Sequence, residues 1–131
     1  MLALLALNAC APVDRDGFSV TDDLRPAFEA AAAPWCNVAG LCAHEGGDSG
    51  IYESHSDLGG FVGLRTAGPD GTSIIKIDVD VDPYWWPHII AHELGHHFGC
   101  HVHSANEADL MHAYLNEVWA PTEADVACVD R

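Results

Sequence analysis

The chain has 131 residues, of which 20 are acidic and 5 are basic, so its formal net charge is −15. Because nucleic acids and anionic membranes attract Lys and Arg, this composition argues against both as partners. The length predicts a single domain, and the 49% hydrophobic content argues against disorder. Nine histidines are present, and seven of them lie from His88 to His112. This clustering indicates a chemically functional site.

The first nine residues, MLALLALNA, form an apolar run that ends at Cys10. This run predicts the end of a secretory signal peptide over residues 1–9, ahead of one domain over residues 10–131. Cys10 stands where a lipobox places its lipidated cysteine, so the prediction is a secreted or extracytoplasmic protein with a possible lipid anchor. A signal peptide cut elsewhere and a buried N-terminal helix turn are the alternatives. No run approaches the ~20 apolar residues of a transmembrane helix.

Four further cysteines are an even number, as expected for disulfides in a small exported domain. Cys36 and Cys42 are close in sequence, which favours a local bridge and leaves Cys100 to pair with Cys128. The alternative is that some of them are free thiols, with Cys100 as a metal ligand.

The first predicted helix covers Asp22 to Trp35, with Thr21 as its N-cap. Its apolar side chains share one face: Leu24, Phe28, Ala31 and Trp35. From Val38 to Gly60 the composition predicts mostly loop, with a short strand over Ile51 to Glu53.

Two strands, Phe61 to Thr66 and Ser73 to Val81, are predicted to form a hairpin through the turn Ala67 to Gly71. Alternation in the second strand predicts an inner and an outer face: Ile77, Val79 and Val81 inside, and Asp78, Asp80 and Asp82 outside. A solvated strand face is the favoured interpretation of these aspartates. Calcium binding is a weaker alternative, because the segment lacks a glycine turn.

Another helix is predicted from near Pro87 to Gly99, and a last one from Thr122 to Val129 with Thr122 and Asp125 as a capping pair. The order of helix, strands, helix, loop and helix predicts an α+β domain, in which a small mixed sheet packs on an N-terminal helix and a central helix.

The central helix contains His92-Glu93-Leu94-Gly95-His96, an HExxH sequence. Residues four apart on a helix are turned by only ~40° and rise ~6 Å, so both imidazoles can reach one ion. A zinc ion there would lower the pKa of a bound water towards ~7, and Glu93 would take its proton as general base. This chemistry suits peptide-bond hydrolysis. The alternative is that all three are ordinary helix residues.

HELGHHFGCHVHS followed by ADLMHAY resembles the metzincin clan of zinc endopeptidases, particularly its matrixin-like members. The similarity covers roughly residues 85–115. It implies a catalytic Zn²⁺ held by three histidines, Glu93 as the base, and Met111 as the Met-turn residue that forms an apolar floor beneath the metal.

The third histidine of the family pattern falls on Val102, and His101 and His103 flank this position. His103 is the preferred third ligand, because it precedes Met111 by the family's spacing of eight residues, and His101 is the alternative. Tyr114 resembles the family's oxyanion-stabilising tyrosine, although it follows the methionine by three residues rather than two.

The remaining histidines have simpler interpretations. His97 is predicted to be a packing or surface residue, and His88 and His112 are predicted at the rim of the site. His44 and His55 form a candidate second, structural metal site with the acidic residues nearby, namely Glu45, Asp48 and Asp57.

The leading interpretation is a monomeric zinc endopeptidase that acts on a peptide or protein substrate. The resemblance to metzincins implies that an extended substrate pairs with an edge strand, for which Phe61 to Thr66 is the candidate. One alternative is a non-catalytic extracytoplasmic protein that buffers or senses zinc. Another is a zinc hydrolase with a carboxylate as third ligand, drawn from Glu107, Asp109 and Glu117. The presence of Glu93 favours hydrolysis, because a binding module does not need a carboxylate at that position.

Overall fold

The computed structural model describes residues 12–129. The predicted signal peptide, residues 1–9, and the lipidation site at Cys10 lie outside the described residues. Both stay predictions.

The fold is built on a five-stranded mixed sheet with strand order β2-β1-β3-β5-β4. Its strands are β1 (Gly17–Val20), β2 (His44–Glu45), β3 (Ser49–Ser54), β4 (Gly63–Ala67) and β5 (Ser73–Asp78). Only the β4–β5 pair is antiparallel, and the other three pairs within the described residues are parallel. The predicted mixed sheet and the predicted hairpin are therefore confirmed.

Among the described residues, three α-helices accompany the sheet: α1 (Arg25–Ala39), α2 (Trp86–Phe98) and α3 (Glu123–Cys128). Short 3₁₀ turns precede α1 and α2, over Asp22–Leu24 and Pro83–Trp85. Within residues 12–129, none of the helices has the length and apolar character needed to cross a membrane.

The core lies between the sheet and the two longer helices. Its fully buried side chains include Phe18, Ile51, Ile75 and Ile77 from the strands, and Trp35, Ile90, Leu94 and Phe98 from the helices. Trp35 also donates a hydrogen bond from Nε1 to the carbonyl oxygen of Ala91, at 2.8 Å. This bond and the packing hold α1 against α2, so the position of α2 is set by the core.

The first helix differs from its prediction at both ends. It continues to Ala39, because Gly40, with φ 69°, is the first residue that adopts the left-handed conformation suited to a helix C-terminus. Thr21 does not cap the 3₁₀ turn through its side chain, and its hydroxyl donates to the carbonyl oxygen of Ile51 instead. The predicted apolar face is confirmed, since all four of its residues are buried.

The strand predictions also need correction. The last strand ends at Asp78 and not at Val81, because the Asp78 carboxylate accepts a hydrogen bond from the backbone N–H of Asp80 and turns the chain. The preceding strand begins at Gly63 rather than Phe61. Strand β1 and the full length of β3 were not predicted, because their partners lie far away in sequence.

Both predicted disulfides are confirmed, namely Cys36–Cys42 and Cys100–Cys128. The second joins the residue that follows Gly99 to the last residue of α3. The alternative in which Cys100 is a thiolate ligand is therefore wrong.

Candidate metal centre

The helix α2 positions the first two candidate ligands. Its start is fixed by Asp82, whose carboxylate accepts from the backbone N–H of Tyr84 at 2.9 Å, and by a proline in its first turn. Its end is fixed by Gly99, whose φ of 122° stops the helix. His92 and His96 therefore lie one turn apart on a single rigid helix, with ring centroids 4.8 Å apart.

Backbone carbonyls set the tautomer of both imidazoles. Nδ1 of His92 donates to the carbonyl oxygen of Leu110 at 2.9 Å, and Nδ1 of His96 donates to that of Cys100 at 2.6 Å. Since a carbonyl only accepts, the proton of each ring is on Nδ1, and the lone pair is on Nε2. Burial lowers the pKa of both histidines, that of His92 to about 4, which favours the neutral, metal-binding form.

The third histidine of the cluster is His103. One ligand nitrogen from each of His92, His96 and His103 lies within 4.8 Å of the others. These three side chains can therefore bind one metal ion. In the part of the chain that the structure describes, this cluster includes neither His101 nor any carboxylate.

The loop after α2 brings His103 to the helix. The backbone N–H of Ser104 donates to the carbonyl oxygen of Met111 at 2.9 Å, and Nδ1 of His112 donates to the carbonyl oxygen of Ser104 at 3.0 Å. The Cys100–Cys128 disulfide anchors the start of the same loop. His103 thus lies between two fixed points, and this explains why an exposed loop residue reaches the helical pair.

Glu93 lies beside the first histidine and is 7% exposed. Burial raises its pKa from 4.5 to about 7, while the backbone N–H of Arg65 and the nearby Arg65 guanidinium oppose part of that rise. A Cβ atom at Gly63 would overlap the side chain of Ile89, so only glycine lets β4 approach α2 this closely. The carboxylate is therefore held between the central helix and the edge strand.

Met111 is buried and lies against α2. A Cβ atom at Gly95 would overlap its sulfur, so glycine at this position makes room for the methionine next to His96. The backbone N–H groups of Leu110 and Met111 both donate to the carboxylate of Asp125 in α3, at 2.8 and 3.0 Å. Since Leu110 in turn accepts from His92, a continuous chain of hydrogen bonds joins α3 to the metal centre.

Asp125 makes hydrogen bonds to the site that its sequence pattern does not indicate. The predicted capping box with Thr122 is confirmed. The pattern S/T-x-x-D, however, carries no sign that the same buried carboxylate also binds two loop amides. Asp109 behaves similarly, because its two oxygens accept from the hydroxyls of Ser104 and Thr122, at 2.6 and 2.8 Å. These bonds lower its pKa.

The other predicted site residues fall into two groups. His88, His112 and Tyr114 line the cleft beside the histidine cluster, and Tyr114 is 77% exposed. His97 is buried in the packing, where Nε2 donates to Asp16 at 2.8 Å and Nδ1 lies 2.6 Å from the hydroxyl of Ser73.

The residues of the candidate second metal site do not come together as ligands. Within residues 12–129, neither these residues nor the three aspartates considered for calcium form a group of ligand atoms close enough to bind one ion. His44 contacts Asp14 at 3.2 Å, and Asp82 caps the turn before α2.

The alternative of a carboxylate as third ligand is not supported. Glu107 is exposed and Glu117 accepts from the hydroxyl of Tyr84, so neither of these carboxylates belongs to the histidine cluster.

The cluster opens onto a cleft of about 640 Å³. One wall is the segment that leads into β4, the floor is α2, and the other wall follows Met111: Gly60, Phe61, Val62, Gly63, His88, Ile89, His92, Glu93, His103, His112, Ala113, Tyr114 and Leu115. An edge strand, a buried carboxylate and the candidate metal-binding cluster therefore share one open cavity.

Neither a protein-family model nor a curated protein matches the chain. The class that the described residues define is an α+β protein with a candidate three-histidine metal site.

Proposed function

We propose that this protein is a zinc-dependent endopeptidase of the metzincin type. The observation that carries the proposal is the position of Glu93, a buried carboxylate on the same helix as two of three converging histidines and at the edge of an open cleft. A metal-storage site needs no buried carboxylate beside its ligands, whereas hydrolysis needs a group that moves a proton.

The ligand set fits zinc. His92, His96 and His103 offer imidazole nitrogens, and the Nδ1–H bonds of the first two leave Nε2 available, as in proteins whose zinc-binding histidines are oriented by carbonyls. Nitrogen donors of this kind suit zinc and not calcium, which prefers oxygen ligands. When bound, zinc supplies Lewis-acid chemistry: it polarises the scissile carbonyl and acidifies a water molecule.

Glu93 is the general base. It takes a proton from the attacking water and returns it to the amine that leaves. A carboxylate whose pKa lies at about 7 in the metal-free protein is suited to both steps near neutral pH. The backbone of β4 at Arg65 favours the charged form of this carboxylate, so β4 influences the base as well as bordering the cleft.

Peptides are the favoured substrates because β4 is an edge strand. It pairs with β5 on one side and has no strand neighbour on the other among the described residues. An extended peptide can therefore add to this edge by main-chain hydrogen bonds. Since α2 lies against β4, a peptide bound there would pass close to Glu93.

The proposed location is outside the cytoplasm. Two disulfides are typical of proteins that fold in an oxidising compartment. Secretion by the predicted signal peptide, attachment through Cys10 and a monomeric state remain parts of the proposal.

Three variants test the mechanism. Glu93→Gln should lower casein cleavage by about 10²–10⁴-fold while the protein still binds one zinc, because the base is lost and the ligands stay. His103→Ala should lose zinc, and the matched variant His101→Ala should keep it. Metal content by atomic absorption and cleavage by gel assay are the measurements.

Two results would contradict the proposal. An active Glu93→Gln variant would remove the general base from the mechanism. A wild-type protein that binds zinc tightly but cleaves neither casein nor a peptide library would favour the non-catalytic zinc-binding alternative.

A further inference from the structure

The mechanism leaves one buried polar residue of the cleft without a role. His88 lies on α2 one turn before His92, is 2% exposed, and lines the cleft. Its ring centroid is 6.4 Å from that of His92, and it is not a member of the metal-binding cluster. A polar side chain in this position is a candidate for contact with a substrate.

Three contacts fix the ring of His88. Nδ1 donates to the carbonyl oxygen of Val118 at 2.7 Å. The rings of Trp85 and Trp119 lie edge-to-face against the imidazole, with centroids 6.1 and 6.0 Å away. The two tryptophan rings stack on each other, and together with the bond to Val118 they hold the imidazole in one orientation.

These contacts make Nε2 of His88 an acceptor. The proton on Nδ1 is used by Val118, so the lone pair is on Nε2. Among residues 12–129 this nitrogen has no hydrogen-bond partner, and it is also absent from the fully buried polar atoms that lack one. Nε2 of His88 is therefore not fully buried, and His88 is one of the residues that line the cleft.

The surroundings of this acceptor are mostly apolar. The same cleft is lined by Phe61, Val62, Ile89, Ala113 and Leu115. Its other polar side chains on α2, His92 and Glu93, belong to the metal centre, and His112 and Tyr114 come from the opposite wall. Apart from the candidate metal centre, the cleft therefore offers an apolar surface with a fixed acceptor on its floor. This combination suits a side chain with an apolar body and a donor at its tip.

We propose that His88 makes this cleft selective for a tyrosine side chain, whose ring contacts the apolar wall and whose hydroxyl donates to Nε2 of His88. This inference rests on the proposed peptidase function. A phenylalanine side chain would fill the same space but leave the buried nitrogen without a partner, and such a loss discriminates between substrates more strongly than a missing methylene does.

The first test compares three peptides that differ only in one side chain beside the scissile bond: tyrosine, phenylalanine or O-methyltyrosine. Wild-type kcat/KM should be about tenfold higher for tyrosine than for the other two, which lack the donor. His88→Leu should remove this preference. His88→Gln, whose amide can both donate to Val118 and accept from the substrate, should keep part of it.

Equal rates for all three peptides in the wild-type protein, or an unchanged preference in His88→Leu, would overturn the inference. Zinc content and thermal unfolding of each variant show whether the fold is kept. Because the glutamine variant preserves the bond to Val118, it remains informative if the leucine variant does not fold.

The second test does not need catalysis. In the zinc-loaded Glu93→Gln protein, the imidazole ¹⁵N resonance of His88 Nε2 should shift when N-acetyl-tyrosinamide is added, and it should not shift with N-acetyl-phenylalaninamide. A shift without peptide cleavage by the wild-type protein would support the tyrosine site and contradict the peptidase. Cleavage without tyrosine preference and without a shift would leave the peptidase and remove the tyrosine site.

Discussion

The two sides of α2 are held by different interactions. Towards the sheet and α1, the helix packs through buried side chains such as Ile90, Leu94 and Phe98. Towards the loop that follows it, residues 99–122, regular structure is limited to a single bridge between Ser104 and His112, and polar bonds to Asp109 and Asp125 accompany the buried side chains of Leu110 and Met111.

The three candidate ligands are positioned by two kinds of interaction. His92 and His96 are positioned by a helix that the core fixes, so their geometry depends on packing. His103 is positioned by a loop that hydrogen bonds and the Cys100–Cys128 disulfide fix, so its geometry depends on these contacts. Changes on each side of α2 should therefore have distinct effects.

The largest effect is expected on the core side. Trp35→Ala removes a fully buried ring and its hydrogen bond to Ala91, and should lower the free energy of unfolding by about 3–5 kcal/mol. Thermal or urea unfolding measures the loss. Val38→Ala on the same helix is the control, and should cost less than about 0.5 kcal/mol because Val38 is 57% exposed. Similar losses in both variants would contradict the assigned core.

The two disulfides contrast the regions directly. Replacing Cys100 and Cys128 by serine should cost about 4 kcal/mol and weaken zinc binding, because the bridge spans 28 residues and anchors the loop of His103. Replacing Cys36 and Cys42 should cost about 2 kcal/mol, since their separation is only 6, and should leave zinc binding unchanged. Unfolding curves and zinc titrations measure these effects. Equal zinc affinity in both double variants would contradict the role of the Cys100–Cys128 disulfide in positioning His103.

Asp125→Asn tests the polar side alone. The amide has one acceptor oxygen in place of two, so at least one loop N–H would face a donor, at a cost of about 3 kcal/mol. Because Leu110 orients His92, zinc affinity should fall by about 10–100-fold. Competition with a chromogenic chelator measures the affinity. Glu123→Gln, an exposed change in the same helix, is the control and should bind zinc as the wild type does.

The smallest effect concerns Glu93 in the metal-free protein. Because its pKa is raised to about 7 from 4.5, the unfolded chain loses this proton at lower pH than the folded protein does. Folded stability should therefore fall as the pH rises through this interval. Glu93→Gln removes the penalty, so it should stabilise the chelator-treated protein at about pH 8 by on the order of 2 kcal/mol and have little effect at about pH 4. Urea unfolding at both values checks this, and a variant less stable than the wild type at the higher pH would contradict it.

Several features of this protein could be predicted from local sequence. The apolar face of α1, the hairpin of β4 and β5, the helix that carries His92 and His96, and the capping box of α3 all depend on residues a few positions apart. Spacing also favoured the cysteine pairs that form, because one pair is only six residues apart, although it left free thiols open. Periodicity and capping involve residues within one or two helical turns, so they can be predicted from the sequence.

The tertiary structure decided what depends on distant residues. Four features arise where segments from different parts of the chain meet: the parallel pairing of β1 with β3, the contact of His103 with the helical histidines, the second role of Asp125 and the acceptor of His88. The sequence determined which residues could bind a metal and move a proton. Only packing and long-range hydrogen bonds determined which of them face one cavity, because a buried polar group must find its partner wherever the fold brings one.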